Sequence, residues 1–256
     1  MSLIVSSYNI LADAYIRPAY YPSTPPEVLD SARREAALLA RLPQLAADVL
    51  CLQEVEAAKF PALMARLADS QARFAQKAGE RPDGCASFIS PRFPLRETRS
   101  LYYADGSGHL ALLTVIELAG QRLGIANTHL RWDPPGTAIP AQLGRRQMLE
   151  LLDAVEHFVP RCSGWILCGD FNADPTSALI LAARQRGFLD PYSGLRAATC
   201  NSNRAAKRID YLLHTSSLTC VPAALPPIDD QTPLPSSSEP SDHLAIGGTF
   251  TWRTAD

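Results

Sequence analysis

Two short apolar runs, each preceded by a helical pattern and each ending in an acidic residue, constrain the fold of this chain most. The run from Trp165 to Cys168 leads into Gly169-Asp170-Phe171-Asn172, and the run from Val49 to Leu52 leads into Gln53-Glu54. Apolar residues at steps of three and four precede both runs, namely Leu38, Leu42 and Leu45 before one and Met148, Leu152, Val155 and Val159 before the other. This order of helix and short buried strand predicts an α/β fold.

Two further predicted strands end in polar residues of the same kind. Leu3 to Tyr8 precedes Asn9, and Arg122 to Ala126 precedes Asn127-Thr128-His129. Ligands of open α/β sheets bind outside the carboxyl ends of the strands, and a carboxylate there needs a partner or a cation. We therefore expect Asn9, Glu54, His129 and Asp170 to form one pocket. Taken alone, Asp170 and Asn172 also suit an ordinary turn.

The length of 256 residues suits a single domain, residues 1–256, with no linker to divide it. A stretch rich in proline and serine, Pro222 to Pro240, lies close to the C-terminus and is followed by Ser241-Asp242-His243. Such a segment next to a charged motif favours a functional loop over a domain boundary. We expect no membrane span, because no apolar run approaches ~18 residues, and no recruitment domain in the chain.

The net charge narrows the class of substrate, and the cysteines indicate the redox environment. A formal net charge of −2 disfavours a broad basic face for a long duplex, which leaves a short or single-stranded nucleic acid, or a small phosphoester. Arg204, Lys207 and Arg208 form either a local phosphate-facing patch or a solvated loop. The six cysteines contain no Cys-x-x-Cys pair, which favours reduced thiols and a cytoplasmic location and disfavours a structural zinc site.

The polar residues also suggest a cofactor. Asp210 and Asp242-His243 join the carboxylates already named. Hard oxygen ligands favour Mg²⁺ or Mn²⁺, and Mg²⁺ usually shares its coordination with substrate phosphate. A histidine that is oriented by a carboxylate donates to phosphate or transfers a proton. The sequence leaves open whether Asp242, Asp210 or Asp170 orients His243.

Six motifs in order resemble the endonuclease/exonuclease/phosphatase superfamily. They extend from residue 5 to about 250, and they are Tyr8-Asn9-Ile10-Leu11, Leu52-Gln53-Glu54-Val55, Asn127-Thr128-His129, Gly169-Asp170-Phe171-Asn172, Arg208-Ile209-Asp210-Tyr211 and Ser241-Asp242-His243. The resemblance implies a four-layer α/β sandwich, with two central mixed β-sheets flanked by helices. It also implies Mg²⁺-dependent hydrolysis of a phosphoester, with Mn²⁺ as a substitute.

The resemblance also implies a metal site. Glu54 corresponds to the main Mg²⁺ ligand of the family, and Asp242 completes the metal site. Asn9 is expected close to the metal-bound phosphate, with a contribution to a second ion.

The remaining motif residues correspond to the catalytic groups of the family. His129 and Asn172 are expected to stabilise the scissile phosphate, and Asp170 to orient or deprotonate the attacking water. His243 is expected to contact the phosphate with support from Asp210.

Longer matches resemble the branch that contains poly(A) deadenylases, nocturnin, angel proteins and 2′-phosphodiesterase. They are Tyr8 to Asp13, Leu50 to Glu56, Asp83 to Ala86, Asn127 to Pro134 and Cys168 to Asn172. The resemblance implies that Pro134, near Trp132, helps to sandwich an adenine against an aromatic ring. Related deadenylases carry that ring shortly before the residue matched by Asp210, but residues 203–208 contain no aromatic residue. Since base stacking is worth ~1–3 kcal/mol per base, we expect weak selection for adenine.

The sequence therefore predicts a Mg²⁺-dependent phosphodiesterase or nuclease that acts on RNA or single-stranded nucleic acid, with deadenylase-like 3′ exonuclease chemistry. Two alternatives stay open. One is a phosphatase or phosphodiesterase for a small molecule such as a nucleotide, an inositol phosphate or a lipid head group. The other is a binding module without catalytic activity.

Overall fold

The computed structural model describes residues 1–157, 162–195 and 197–254. Its helices are α1 (Ser31–Arg41), α2 (Phe60–Arg66), α3 (Leu143–His157) and α4 (Ala178–Gln185). The helical spacing predicted from the sequence is present in α1 and α3, although Leu42 and Leu45 fall in a 3₁₀ turn that follows α1. Val159, the last residue of the helical pattern that corresponds to α3, lies outside the described residues. None of the helices in the described ranges combines the length and hydrophobicity needed to span a bilayer.

The strands form two mixed sheets and a small hairpin. In chain order they are β1 (Leu3–Asn9), β2 (Val49–Glu56), β3 (Gln71–Gln76), β4 (Asp83–Ile89), β5 (Leu95–Tyr102), β6 (Leu110–Leu118), β7 (Gln121–His129), β8 (Gly164–Asp170), β9 (Cys200–Ser202), β10 (Ala205–Lys207), β11 (Asp210–His214), β12 (Leu218–Pro222) and β13 (Ile246–Trp252). The first sheet has the order β12-β13-β1-β2-β4-β3, and the second has the order β11-β8-β7-β6-β5. Strands β1 and β2 are parallel, as are β7 and β8, and the other neighbours are antiparallel.

The buried side chains define four layers. One apolar cluster contains residues of both sheets, including Val5, Val49, Ile125 and Ile166, so the sheets pack face to face. A second cluster joins the outer face of the second sheet to α3 and α4, and a third joins the outer face of the first sheet to α1 and α2. The predicted four-layer α/β sandwich, with two mixed sheets flanked by helices, is confirmed.

The predicted strands are longer than their apolar runs. Strand β1 includes Asn9, β2 continues through Glu54 to Glu56, β7 includes His129, and β8 includes Asp170. Asn9, His129 and Asp170 therefore still pair with neighbouring strands, whereas Glu54 lies at a break in the pairing of β2 with β4. The ladder hydrogen bonds fix their backbone, which gives the side chains defined directions.

A β-bulge in β2 sets the direction of Glu54. The pairing of β2 with β4 shifts between Leu52 and Val55, and Glu54 has a positive φ of 58°. Leu50, Leu52 and Val55 all pack in the helix-side cluster, although strict alternation would place residue 54 there. One extra residue is thus inserted at this point, and it turns Glu54 away from the helix side.

Polar side chains link the two sheets beneath the polar strand ends. Asn127 of β7 donates from Nδ2 to the carbonyl oxygens of Leu52 and Ala86 in the first sheet, at 3.1 and 2.8 Å. Gln53 of β2 donates from Nε2 to Asn127 Oδ1 at 2.7 Å and to Ser7 Oγ at 3.1 Å. Since buried amides are costly unless they are paired, these contacts fix how the sheets meet.

The segment that follows β12, as far as Pro240, is irregular and packs on the first sheet and on α1. Glu239 accepts a hydrogen bond from the buried hydroxyl of Tyr8, and Pro240 O accepts one from Arg34 Nε at 2.9 Å. Ser241 then donates to Asn9 O at 2.7 Å. These contacts place Asp242 and His243 beside the polar end of β1.

Gly169 provides a test of how tightly β8 is held beside β7. Its φ is 140°, and a Cβ atom at this position would lie 1.8 Å from Thr128 O. We predict that Gly169→Ala lowers the free energy of unfolding by about 3 kcal/mol or more, because backbone must move to relieve the contact. Urea denaturation of the purified protein measures this change.

Gly120→Ala is the matched control. Gly120 also has a positive φ, of 77°, but no heavy atom of the described residues lies within 4 Å of the added Cβ. Only the cost of the backbone conformation remains, roughly 1–2 kcal/mol. Equal losses in the two variants would show that the close approach at Gly169 does not constrain the sheet.

Candidate active site

Three polar residues of the second sheet lie in one row at its edge. His129 of β7 is paired with Asp170 of β8, and Asp170 is paired with Asp210 of β11. Residues paired in this way project to the same face of a sheet. This face carries Ile125, Ile166 and other residues of the core between the sheets. The row is therefore the polar end of the layer between the two sheets.

Asn9 joins the carboxylates of the two sheets. Its Nδ2 donates to Glu54 Oε1 and to Asp170 Oδ2, both at 3.0 Å. Its Oδ1 accepts from the backbone N–H of Leu11 at 3.0 Å, which fixes the amide orientation. Glu54 also accepts from the backbone N–H of Ala12 at 2.8 Å. Asn9 is fully buried, so it holds the two carboxylates from behind.

The question of which carboxylate orients His243 is answered by geometry. His243 Nδ1 lies 3.1 and 3.0 Å from the two carboxylate oxygens of Asp210. Its Nε2 lies 3.7 Å from Asp170 Oδ2 and 3.9 Å from Asp242 Oδ1. Asp210 is in turn fixed by the hydroxyl of Thr199, which donates at 2.6 Å. Asp210 is therefore the orienting carboxylate.

These residues surround an open cavity of about 360 Å³. Eight of the residues selected from the sequence line it, namely Glu54, His129, Trp132, Asp170, Asn172, Lys207, Asp242 and His243. Asn9 and Asp210 lie behind this lining and contact it through the hydrogen bonds above. Of the four polar strand ends, the structure places Glu54, His129 and Asp170 in the lining of one cavity and Asn9 directly behind them.

His129 and His243, two of the three histidines that line the cavity, are in opposite charge states. Burial alone would lower the pKa of His243, but Asp210 and other acidic neighbours hold it well above its usual value. Burial, with the positive charge of Lys77 nearby, holds the pKa of His129 well below its usual value. At neutral pH His243 is therefore a cation that can donate to an anion, and His129 is a neutral ring.

Two carboxylates of the cavity are costly to ionise in their buried positions. Burial raises the pKa of Glu54, and burial together with Asp210 raises the pKa of Asp170 to about 7. A cation bound beside them would lower this cost. Asp242 Oδ1 is also buried and has no hydrogen-bond partner among the described residues.

This donor set fits a hard divalent cation. The described residues offer three groups of ligand atoms around the cavity, each within 4.8 Å, and these are Glu54 with His129 and Asp170, Asp170 with Asp210 and His243, and Cys200 with Asp242 and His243. Carboxylate oxygens dominate these groups, as Mg²⁺ and Mn²⁺ prefer. Glu54 in the first group, and Asp242 in the third with its unpartnered Oδ1, are each suited to take part in holding such an ion.

A buried lysine that the sequence analysis did not select supports His129. Lys77 Nζ lies 2.7 Å from Asp83 Oδ2 and 3.4 Å from His129 Nδ1. Asp83 also accepts from the hydroxyl of Tyr15 at 2.6 Å. Lys77 follows directly after β3, and only the match at Asp83 pointed to this region. The β3–β4 hairpin holds Lys77 beside Asp83, and the contact with His129 of the other sheet places it at the site.

Two neighbouring tyrosines were also missed. The hydroxyl of Tyr21 donates to Asp242 Oδ2 at 3.2 Å, and burial raises the pKa of this tyrosine, so it remains a donor. Tyr20 lines the same cavity, but its ring is exposed. Both lie in an irregular segment between β1 and α1, where periodicity gives no signal.

The basic segment forms the hairpin β9–β10. Asn203 and Arg204 both have positive φ values, 56° and 54°, as a tight two-residue turn requires. Lys207 lines the cavity, whereas Arg204 at the turn lines a different, small depression. Arg208 forms an ion pair with Asp190. Of the three basic residues, the structure therefore brings only Lys207 to the site.

Trp132 and Pro134, which the family resemblance places near a bound adenine, lie at or next to the cavity. Trp132 is about half exposed and lines it. Pro134 lines a second cavity of about 380 Å³, which shares Arg131, Trp132, Asn172, Lys207 and Ile209 with the first. The two cavities are therefore adjacent.

Comparisons with known proteins agree with this geometry. The model of the endonuclease/exonuclease/phosphatase family matches residues 6–243. Protein angel homolog 2 of Danio rerio is 32% identical over 202 residues, which cover 71% of this chain and 35% of that protein. The CCR4-Not complex 3′-5′-exoribonuclease subunit Ccr4 of Yarrowia lipolytica is 26% identical over 345 aligned residues, covering 97% of this chain and 48% of that protein.

A solved structure shares the fold. The crystal structure of ANGEL2, described as a 2′,3′-cyclic phosphatase, superposes with a TM-score of 0.82 at 21% identity and covers 98% of this chain and 95% of that one. The chain spans only about a third to a half of the length of the two curated relatives above.

The fold and the cavity are those of a phosphoric ester hydrolase. With a family model that matches nearly its whole length, the chain belongs to the endonuclease/exonuclease/phosphatase family.

Thermal denaturation with increasing MgCl₂ tests the metal site. We predict that saturating Mg²⁺ raises the melting temperature of the wild-type protein by roughly 5–10 °C, because the ion binds only the folded state. Glu54→Gln and Asp242→Asn should each abolish most of this rise, since each removes a carboxylate that can hold the ion.

Glu56→Gln is the control, because Glu56 lies two residues further along β2 and does not line the cavity. It should keep the full response to Mg²⁺. A response in Glu54→Gln equal to that of the wild type would exclude Glu54 as a ligand.

Proposed function

We propose that this protein is a Mg²⁺-dependent phosphodiesterase that acts on RNA or another single-stranded nucleic acid, with 3′ exonuclease chemistry like that of deadenylases. The pair of adjacent cavities is the observation that carries this proposal. Asn172, Lys207 and Trp132 belong to the lining of both.

The two cavities favour a substrate with groups on both sides of its phosphate. Each, at about 360 and 380 Å³, falls within the size range of small-molecule sites. A phosphate beside the lining that they share would direct one substituent into each cavity. A phosphodiester within a nucleotide chain has two such substituents, whereas a monoester of a small molecule has one.

The charges of the lining suit a phosphodiester. Lys77, Arg81, Arg131 and Lys207 all line the first cavity, and His243 is cationic. The formal net charge of the chain is −2, so this positive charge is local. It can neutralise one or two phosphates and does not require a broad basic surface.

The residues of the site divide the catalytic work. His243, which Asp210 orients, donates to a phosphate oxygen. Asp170 Oδ2 lies 3.6 Å from His129 Nε2 and 3.7 Å from His243 Nε2, so it faces the same space as both rings. With a pKa raised to about 7, Asp170 is a suitable acceptor for the proton of an attacking water.

Asn172 and the metal complete this arrangement. Asn172 Nδ2 lies 3.0 Å from His129 Nε2 and 3.1 Å from Leu130 O, so it holds the neutral ring in place beside the phosphate. Mg²⁺, for which Mn²⁺ can substitute, would be held by Glu54 and Asp242 and would stabilise the charge that develops on the phosphate oxygens.

The relatives support the same class of substrate. Ccr4 is named a 3′-5′-exoribonuclease, which supports RNA as the substrate here. ANGEL2 is described as a 2′,3′-cyclic phosphatase, and a 2′,3′-cyclic phosphate is itself a phosphodiester at an RNA end. Opening of such an end is therefore the second candidate function, and the small-molecule phosphatase is a third.

The proposal also includes a cytoplasmic location and a single catalytic domain. The six cysteines are free thiols, which suits the reducing cytoplasm. The core shared by both sheets supports the view that residues 1–256 act as one catalytic domain.

A substrate panel with Mg²⁺ tests the proposal. It contains single-stranded RNA with a 3′ hydroxyl, the same RNA with a 2′,3′-cyclic phosphate, a mononucleotide and an inositol phosphate. We predict hydrolysis of one or both RNA substrates, with kcat lowered at least about 10³-fold in Asp170→Ala and His243→Ala because each loses a group that acts in the transition state.

Two measurements complete this test. The melting temperatures of Asp170→Ala and His243→Ala should stay close to that of the wild type. Lys207→Ala should raise KM for RNA, whereas Arg204→Ala, outside the cavity, should not. Release of phosphate from the mononucleotide or inositol phosphate with both RNA substrates left intact would replace the proposal with the small-molecule alternative.

A further inference from the structure

Tyr20 is an aromatic residue at the cavity with no role in the chemistry described above. Its ring is 48% exposed, although it lines the cavity that contains Asp170 and His243. We propose that Tyr20 is a stacking platform for a nucleobase of the substrate, an inference that rests on the proposed function.

Hydrogen bonds on both sides of the Tyr20 backbone hold the residue from which the ring projects. Tyr20 is the last residue of a single 3₁₀ turn, Pro18–Tyr20, and its N–H donates to Arg17 O at 2.8 Å. Its carbonyl accepts from the N–H of Asn203, in the turn of the β9–β10 hairpin, at 2.7 Å. Two separate parts of the chain thus fix the platform before any ligand binds, which lowers the entropy cost of stacking.

The neighbouring ring connects this platform to the catalytic groups. Tyr21 is buried and meets Tyr20 edge to face, with ring centres 6.5 Å apart and planes at 73°. The Tyr21 hydroxyl donates to Asp242, a carboxylate that can hold the metal. The Tyr20 ring is therefore held at a defined position relative to the site of phosphate hydrolysis.

Tyr20 and Trp132 mark two different base positions. Trp132, which is 52% exposed, lines both cavities, whereas Tyr20 lines the first cavity and not the one that contains Pro134. A base on Tyr20 would consequently lie apart from a base beside Pro134. The Tyr20 carbonyl also accepts the hydrogen bond from Asn203, so Tyr20 lies beside residues 203–208, which contain no aromatic residue.

The expected selectivity follows from the chemistry of stacking. Every base has a π-face, so a tyrosine platform binds all four bases with modest differences. The ring should therefore strengthen binding of nucleotides in general without a strong preference for adenine.

Isothermal titration calorimetry in the presence of Mg²⁺ tests this platform. The probes are adenosine 5′-monophosphate, uridine 5′-monophosphate and, as a ligand without a base, ribose 5-phosphate. We predict that Tyr20→Ala weakens binding of both nucleotides by roughly 5–150-fold, since stacking contributes ~1–3 kcal/mol per base. Binding of ribose 5-phosphate should change less than about twofold.

Three further variants separate stacking from a structural effect. Tyr20→Phe should bind the nucleotides as the wild type does, whereas Tyr20→Leu, which keeps apolar bulk but has no π-face, should resemble Tyr20→Ala. Tyr102→Ala removes a ring of equal exposure, 48%, that lies on β5 and does not line the cavity, and it should have no effect.

The outcomes are distinct for the two proposals. An unchanged nucleotide affinity in Tyr20→Ala, an equal loss for ribose 5-phosphate, or no measurable nucleotide binding by the wild type would overturn the platform. The wild-type protein could instead bind the nucleotides more tightly than ribose 5-phosphate, lose this difference in Tyr20→Ala, and hydrolyse no phosphodiester. That result would support the platform and refute the proposed function.

Discussion

The contact on which the site depends is the pair of hydrogen bonds that Asn9 donates to Glu54 and Asp170. The two carboxylates belong to different sheets, and Asn9 Nδ2 lies 3.0 Å from each. Without this amide, two buried carboxylates would face one another across the gap, at a considerable electrostatic cost. Because Asn9 holds them in place, their combined charge is available for a cation.

The layer between the sheets changes in character along its length. Apolar residues such as Val5 and Ile166 fill its centre, followed by the amides of Gln53 and Asn127, which link the sheets. The carboxylates and histidines lie at its open end. A rigid apolar interior thus supports a charged edge, and the amides between them keep the two halves of the active site in register.

Much of this fold could be predicted from the residues themselves. The strands β1 and β8, which end in the polar residues Asn9 and Asp170, were visible in the sequence as short segments that lead into these residues. The choice of a four-layer sandwich came from the family resemblance, because periodicity alone indicated only an α/β sheet.

Other features depended on contacts between distant parts of the chain. The bulge that turns Glu54 arises from its pairing with β4, and no local pattern marked it. Lys77 reaches His129 only because β3 and β4 pair, and Tyr20 reaches the cavity from a segment without regular structure. Arg208 resembled a phosphate ligand in the sequence, but its partner is Asp190.

Calorimetry of Mg²⁺ binding to the Asn9→Leu variant tests whether Asn9 organises the site. This substitution keeps a similar side-chain volume but removes both hydrogen bonds to the carboxylates. Loss of a residue that orients metal ligands typically costs 10–100-fold in affinity. We predict at least about a tenfold weaker Kd in a protein that remains folded. An unchanged Kd in the folded variant would contradict the claim that Asn9 organises the site.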